Sequence, residues 1–310
     1  MLKQTTSNIM MVRPIHFAFN PETAVNNAFQ LQADKDELDQ VATKAQEEFD
    51  TFVGKLREQG ISVFVFEDTA DPHTPDSVFP NNWITFHQDG TLVTYPMYAP
   101  TRRKERRDDI VNNIEGQFQV EKRIHLEEYE SSGIYLEGTG SLILDRINKI
   151  AYACVSERTN EKILDDYCAQ LGYKKILFSA LDAKGMDIYH TNVMMCMGDT
   201  FVVLCSECVP EGEAKDLLLQ TLKDTDKELI DIRLDQVERF AGNMLQVENE
   251  EGKTFLVMSE QAFKALDKEQ VQQIEKHSTP LYSPLYTIEK LGGGSARCML
   301  AEIFLPPSKS

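Results

Sequence analysis

Tryptophan occurs once in the 310 residues, and cysteine only six times, at positions 154, 168, 196, 205, 208 and 298. So few cysteines, mostly inside apolar runs, read as small buried hydrophobes in a reducing setting and exclude a disulfide scaffold. Cys205 and Cys208 form a C-x-x-C pair, but no second pair and no nearby histidine completes a metal or redox motif. The remaining histidines, His16, His73, His87, His125 and His277, show no HxxxH or HExxH spacing, so no metal and no organic cofactor is expected. No apolar run reaches about 18 residues, which argues against a transmembrane helix. The N-terminus lacks the apolar core and cleavage site of a signal peptide, so a cytoplasmic protein is expected. Positive charge is scarce: 32 Lys and Arg against 50 Asp and Glu leave a formal charge of −18. Such a surface repels polyanions, which excludes nucleic acid and anionic membrane as partners.

What is present is a core and a pattern. At 42% hydrophobic, the chain can bury a full globular interior. Four segments read as β-hairpins: 82–96 around Asp89-Gly90, 141–155 around Arg146 to Lys149, 192–205 around Gly198-Asp199, and 243–258 around Asn249 to Gly252. A helical pattern and then a strand follow each. In the second, Thr159 or Asn160 caps a helix, Ile163, Leu164, Tyr167, Cys168 and Leu171 share one face, and Gly172 ends it before a strand from Lys175 to Leu181. The first has a charged helix from Arg102 to Glu115 and a strand over 119–125. The third has a helix over 212–223 and a strand over 228–232, and the fourth has helical segments over 259–277 and a strand over 280–287.

The residues at the hairpin starts are Asn82, Glu137, His190 and Asn243, and Cys298 precedes a last strand, Met299 to Leu305. The steps are 137−82 = 55, 190−137 = 53, 243−190 = 53 and 298−243 = 55. A near-constant step marks a repeat of ββαβ units. The fifth unit is split by the termini: Met299 to Leu305, then Met11 to Phe19, a helix from Asp36 to Gln59 with Leu38, Val41, Ala45, Phe49, Phe52, Val53 and Leu56 on its buried face, and Ile61 to Phe66. Radial repeats bring equivalent positions to one axis, so the five marked residues should converge. The expected architecture is thus an α/β five-bladed pseudo-symmetric propeller forming one domain over residues 1–310.

Thiol, imidazole and carboxylate at one centre suit nucleophilic catalysis. Cys298 would attack, with a neighbouring His or Arg, such as the adjacent Arg297, lowering its pKa. His190 would act as acid and base, and Glu137 would orient it and hold its charge. Gly292 to Gly294 allow close approach of backbone to a substrate, although Gly-Gly-Gly is also an ordinary flexible turn. Arg102 lies in TRRKERR, which reads equally as a solvated helix face.

These motifs resemble the guanidino-group-modifying superfamily of arginine deiminases, dimethylarginine hydrolases and amidinotransferases, whose fold is the five-bladed α/β propeller (pentein). LEGTG (136–140) resembles its acidic motif, YHTN (189–192) its histidine motif and GGGSARCM (292–299) its nucleophile motif. SERTN (156–160) resembles a stretch of the dimethylarginine hydrolases whose arginine binds the substrate carboxylate, which implies that role for Arg158, with Arg102 beside it. The chain departs from the pattern where the superfamily holds a guanidinium with two aspartates: Asn82, in FPNN, and Asn192 stand there, and Gly140 replaces the acidic motif's trailing aspartate. Guanidinium offers only donors and favours carboxylates, whereas a neutral ureido group needs a donor as well as an acceptor. The expected substrate is therefore a small ureido or guanidino amino acid, citrulline first, bound through Asn82, Asn192, Arg158, Asn243 and Arg102. Hydrolysis would run through an S-carbamoyl intermediate to ornithine, ammonia and carbon dioxide. This matches a citrulline hydrolase branch. The alternative is an arginine deiminase or amidinotransferase, with Asp76 or Asp187 restoring the missing negative charge. A non-catalytic propeller is the competing class, disfavoured by Cys298, His190 and Glu137 in register. A homo-oligomer is compatible with the sequence.

Overall fold

The computed structural model describes residues 2–31 and 40–308. Among these, fifteen strands make five three-stranded mixed sheets: β1 (Asn8–Arg13), β2 (Ser62–Glu67), β3 (Ile84–Phe86), β4 (Thr91–Thr94), β5 (Lys122–His125), β6 (Ile143–Asp145), β7 (Ile150–Cys154), β8 (Lys174–Phe178), β9 (Met195–Met197), β10 (Phe201–Leu204), β11 (Glu228–Asp231), β12 (Leu245–Glu248), β13 (Thr254–Ser259), β14 (Thr279–Ser283) and β15 (Ala301–Glu302). In every sheet the middle strand pairs antiparallel with one neighbour and parallel with the strand after it; the antiparallel neighbour is the preceding strand in four sheets and β15 in the fifth. The antiparallel pair needs only a tight turn, and the parallel pair needs a crossover, which the helices supply. The α/β class and the ββαβ repeat expected from the sequence are both present.

The fifth sheet joins the two ends of the chain. Ile9 pairs with Glu302 and Met10 with Ala301, while β1 runs parallel to β2 in register from Asn8↔Ser62 to Arg13↔Glu67. Its helix, Val41–Glu58, buries Val41, Ala45, Phe49, Phe52, Val53 and Leu56. The expected start of that helix at residues 36–39, with Leu38, lies outside the described residues. In the second unit the helix Glu161–Leu171 is capped by Asn160, whose side chain accepts from Lys162 N, and ends at Gly172 in the left-handed region. Its five expected apolar positions are all buried, each worth roughly 1.5–3 kcal/mol of transfer free energy.

Four expectations shift. The strand placed over residues 11–19 is β1, Asn8–Arg13, because Pro14 lacks the N–H to continue the ladder. The last strand contracts from 299–305 to β15, since Ala296–Met299 form a 3₁₀ turn that carries Cys298. The charged helix over 102–115 is two helices, Pro100–Arg103 and Asp108–Gln117, with Arg107 extended between them. The strand over 280–287 ends at Ser283 before Pro284, and Tyr286–Gly292 forms a helix that hydrophobic pattern alone did not suggest.

Candidate active site

Each marked residue sits just before the first strand of its sheet, and short 3₁₀ or α turns position the side chains. Asn82 ends the turn Pro80–Asn82, Glu137 precedes Gly138–Ser141, His190 precedes Thr191–Val193, and Cys298 lies in Ala296–Met299. Asn82, His190, Cys298, Arg102 and Arg158 line one narrow cavity of about 10 Å³, together with Thr23, Asn27, Asp76, Phe79, Tyr189 and Gly292 to Gly294. Glu137, Asn192 and Asn243 are buried behind it and bond to its lining residues.

Glu137 Oε2 lies 2.8 Å from His190 Nε2, and Glu137 Oε1 accepts from Tyr98 N at 2.8 Å. Burial pushes the Glu137 carboxyl up, but Arg158, whose Nη1 is 3.6 Å away, outweighs that with His190 and Arg102 and holds it down at about 2. An ionised carboxylate only accepts, so Nε2 carries the imidazole proton and Nδ1 keeps its lone pair. Burial lowers the His190 pKa to about 4 against the opposing pull of Glu137, so the ring is neutral at pH 7. A neutral imidazole with a free Nδ1 can take a proton and return it.

Cys298 Sγ accepts from Asn192 Nδ2 at 3.4 Å and from Asn243 Nδ2 at 3.3 Å. The adjacent Arg297, expected to act on the thiol, instead donates to Leu300 O and Glu302 Oε2; the turn points its side chain away from the sulfur. Asn82 Oδ1 accepts from Arg102 Nη1 at 2.8 Å. Guanidinium only donates, so this bond fixes the amide: Asn82 Nδ2 faces the other way, buried and unpartnered. Asn192 is the complement, with its Nδ2 on sulfur and its Oδ1 buried and unpartnered.

Arg102 is 3% exposed. The solvated-face reading of its basic run is therefore corrected: Glu105 grips its guanidinium through two hydrogen bonds, of 3.0 and 2.9 Å, and Phe79 O accepts from it. Arg158 donates to Asn26 Oδ1 and to Thr23 O at 2.9 Å, and its guanidinium lies 4.9 Å from the Tyr189 ring centroid. Asp76 is buried in the cavity wall; Asn20 Nδ2 and Thr23 Oγ1 donate to its Oδ2, while Oδ1 has no partner. Burial raises its pKa against Arg102. Asp187 is exposed and lies outside this cavity.

Several of these residues were not legible as site residues. Thr23, Asn26 and Asn27 come from the helix Pro21–Ala24 and the turn after it, for which Asn20 as cap and Pro21 at the first helical position were the available signal. Phe79 packs on the triple glycine, where a Cβ at Gly292 would lie 2.7 Å from its ring. Gly140 also has a structural reason. A Cβ there would come within 2.4 Å of Asn82 Nδ2 and 2.7 Å of His190 Nδ1, so no side chain fits beside both. Among the described residues no group of three or more His, Cys, Asp or Glu is placed to hold a metal ion, and no helix is long and apolar enough to cross a membrane.

The family described as N,N dimethylarginine dimethylhydrolase, eukaryotic, matches residues 13–305. Comparison with curated proteins by sequence finds no match. Among solved structures, apo ArgZ, an arginine dihydrolase from the ornithine-ammonia cycle in cyanobacteria, superposes with a TM-score of 0.74 at 15% identity, over 96% of this chain and 41% of that one. The N-terminal domain of ArgZ, covalently bound to a reaction intermediate, gives 0.72 at 16% identity over 96% of this chain and 98% of that domain. A dimethylarginine dimethylaminohydrolase variant as its S-methyl-L-thiocitrulline adduct gives 0.63 at 14% identity, over 96% and 100%. This chain therefore spans about two fifths of full-length ArgZ. At these identities the likenesses establish a shared fold.

Proposed function

The chain belongs to the family described as N,N dimethylarginine dimethylhydrolase, eukaryotic, and within it we propose, from the amides of the site, that this chain hydrolyses the ureido C–N bond of free citrulline. It is a C–N hydrolase of the guanidino-group-modifying superfamily; the substrate and the residue roles are our reading. The observation that carries it is the pair of unpartnered amide atoms in the buried site, one donor on Asn82 and one acceptor on Asn192. A ureido group presents one carbonyl oxygen and an NH₂, and so uses both. A guanidinium would leave the Asn82 donor facing donors and would find no carboxylate at either position.

In this reading the two ends of the cavity divide the substrate. Asp76 shares Thr23 with Arg158 and lies 4.0 Å from Arg102, and it does not bond to the two amides that hold Cys298. Asp76 would take the α-ammonium, and Arg158 with Arg102 the α-carboxylate, so the one carboxylate in the cavity wall need not imply a guanidinium. Cys298 gives its thiol proton to His190 Nδ1, and the sulfur attacks the ureido carbon. The carbon–nitrogen bond to the ornithine side chain then breaks, and the imidazolium passes its proton to the departing amine. His190 next takes a proton from water, whose hydroxide attacks the S-carbamoyl group. Thiolate leaves, and the carbamate falls to ammonia and carbon dioxide. Glu137 keeps the proton on Nε2 throughout and holds the imidazolium when it forms. Asn243 acts on the sulfur in this scheme, in place of the substrate contact expected from its position in the repeat.

The same reading takes residues 1–310 as one five-bladed propeller domain, because five equivalent sheets each supply a residue to one site. Six free, buried cysteines go with a cytoplasmic setting. The competing reading, a guanidino substrate, is favoured by the arginine and dimethylarginine substrates of ArgZ and of the dimethylarginine enzyme. Incubating purified protein with citrulline, arginine or dimethylarginine, beside Cys298→Ala, separates them. Ornithine from citrulline, lost in the variant, is the expected result; citrulline from arginine or dimethylarginine would overturn it.

A further inference from the structure

A thiol that must ionise in a buried site needs donors around its sulfur. Among the described residues, the hydrogen-bond donors on Cys298 Sγ are two neutral amides, Asn192 Nδ2 and Asn243 Nδ2. Asn243 cannot rotate its oxygen to the sulfur without loss. Asn243 Oδ1 accepts from Arg297 N at 3.0 Å and its Nδ2 also donates to Asn192 O at 3.0 Å, so backbone groups on two sides fix its orientation. Among the described residues, Asn243 Oδ1 accepts from a neutral S–H only at a long 3.8 Å. Two donors and one distant acceptor match the hydrogen-bonding capacity of a thiolate better than that of a thiol. The titratable groups around the thiol are His190 and Tyr189, on the segment that enters the Thr191–Val193 turn, and Arg102, Arg158 and Asp76, which line the same cavity; none of them hydrogen-bonds to Sγ.

We propose that Asn192 and Asn243 form an amide clamp that holds the Cys298 thiolate, and that Asn192 thereby couples ionisation of the nucleophile to selection of a neutral headgroup. The second half follows from the bonding capacity of one amide. With one N–H on sulfur, the side-chain atom of Asn192 left without any partner is Oδ1, an acceptor for the substrate. An aspartate in this place would set a carboxylate oxygen against the sulfur, so the side chain suited to a cationic headgroup is the one that opposes the thiolate. The inference rests on Cys298 being the nucleophile of the proposed function and not on citrulline being the substrate.

The test is a pH titration of thiolate absorbance at 240 nm, taken as the difference from Cys298→Ala so that the other cysteines and the tyrosines cancel. It needs no substrate and no reagent access to the closed cavity. Asn192→Asp and Asn243→Asp are near-isosteric, and Asn243→Asp keeps the acceptor for Arg297 N. Each should raise the titration midpoint by at least about one pH unit, lowering the thiolate fraction below the midpoint roughly tenfold. Should Asn243→Asp fail to fold, Asn192→Asp decides alone, with Asn192→Leu as the neutral control that removes the donor and should also raise the midpoint. Unchanged midpoints in folded Asn192 variants would overturn the clamp. Raised midpoints in a protein that does not turn over citrulline would support the clamp while removing the substrate reading.

Discussion

Asn82, in the cavity wall, and Asn192, behind it, each leave one buried amide atom unpaired, and a buried unpaired polar group costs about 1–3 kcal/mol. A site tolerates that cost when a ligand supplies the missing partner. Asn82→Asp should therefore be read as a change of partner. The carboxylate keeps an acceptor for Arg102 and replaces the free N–H with an oxygen that repels a ureido carbonyl. We expect kcat/KM for citrulline to fall about a hundredfold or more, from the loss of one such bond and the gain of one repulsion. An unchanged kcat/KM would remove Asn82 from the headgroup site. His190 makes a second prediction at this scale. Its folded pKa lies below the ordinary histidine value, at about 4, chiefly through burial. The imidazole therefore stays neutral on descending from pH 6.5, where a free histidine would charge. The acid limb of the kcat/KM profile should sit near pH 4, and a limb at about 6.5 would mean a solvated ring. Glu137→Gln removes the charge that holds the imidazolium and leaves one acceptor for two donors, His190 Nε2 and Tyr98 N, and turnover should drop by about a hundredfold or more even where the protein folds normally.

At the scale of elements, the helix Glu161–Leu171 shows what local chemistry makes legible. An oxygen-bearing cap, an acidic first turn, apolar spacing and a terminal glycine agree with one another, and each has its counterpart in the fold. Gly172 has φ +71 and no atom within 4 Å of where a Cβ would be, so its constraint is backbone conformation alone. Gly172→Ala should lower stability by about 1 kcal/mol through left-handed strain, with unchanged kinetics for the folded fraction. A variant as stable as the parent in a denaturant titration would show that the turn relaxes freely. The charged segment after Pro100 shows the converse. TRRKERR has the composition of a solvated face, and nothing in its periodicity distinguishes Arg102, which turns inward, from its neighbours. What selects it is Glu105, three residues on, which becomes buried with it, and Asn82, twenty residues back. A contact of that kind exists only after the chain has folded. The Pro21–Ala24 helix was hidden differently: four residues are too few to show a period, although they bring Thr23 to the cavity.

For the whole molecule, the repeat was readable because one unit of about 53 to 55 residues recurs with its strand, turn and helix signals in the same order, and equivalent positions then fall into one site without any local signal of contact. The fifth unit was readable only by subtraction, as what the other four left over. Its assembly from both termini has a mechanical consequence. β1 is the middle strand of its sheet, held on one side by β15 and on the other by β2, and Ile303 N donates to Asn8 O just beyond the pairing. The two ends of the chain are thus already tied together through backbone hydrogen bonds. A circular permutant that joins residue 310 to residue 1 and opens the chain near Pro210, in the exposed stretch before the helix Glu213–Asp224, keeps all five sheets intact. A Gly/Ser linker of about eight residues, with an r.m.s. reach of roughly 15 Å, closes the join with little strain. We expect this permutant to fold with a thermal midpoint within a few degrees of the parent and to turn over the same substrate. Deleting residues 2–13 should do the opposite, since it removes a middle strand, strands β15 and β2 without partners, and takes the backing from the turn that carries Cys298. Soluble, active protein from the deletion, or an unfolded permutant beside a folded parent, would show that the fifth sheet does not close the molecule as its pairing implies.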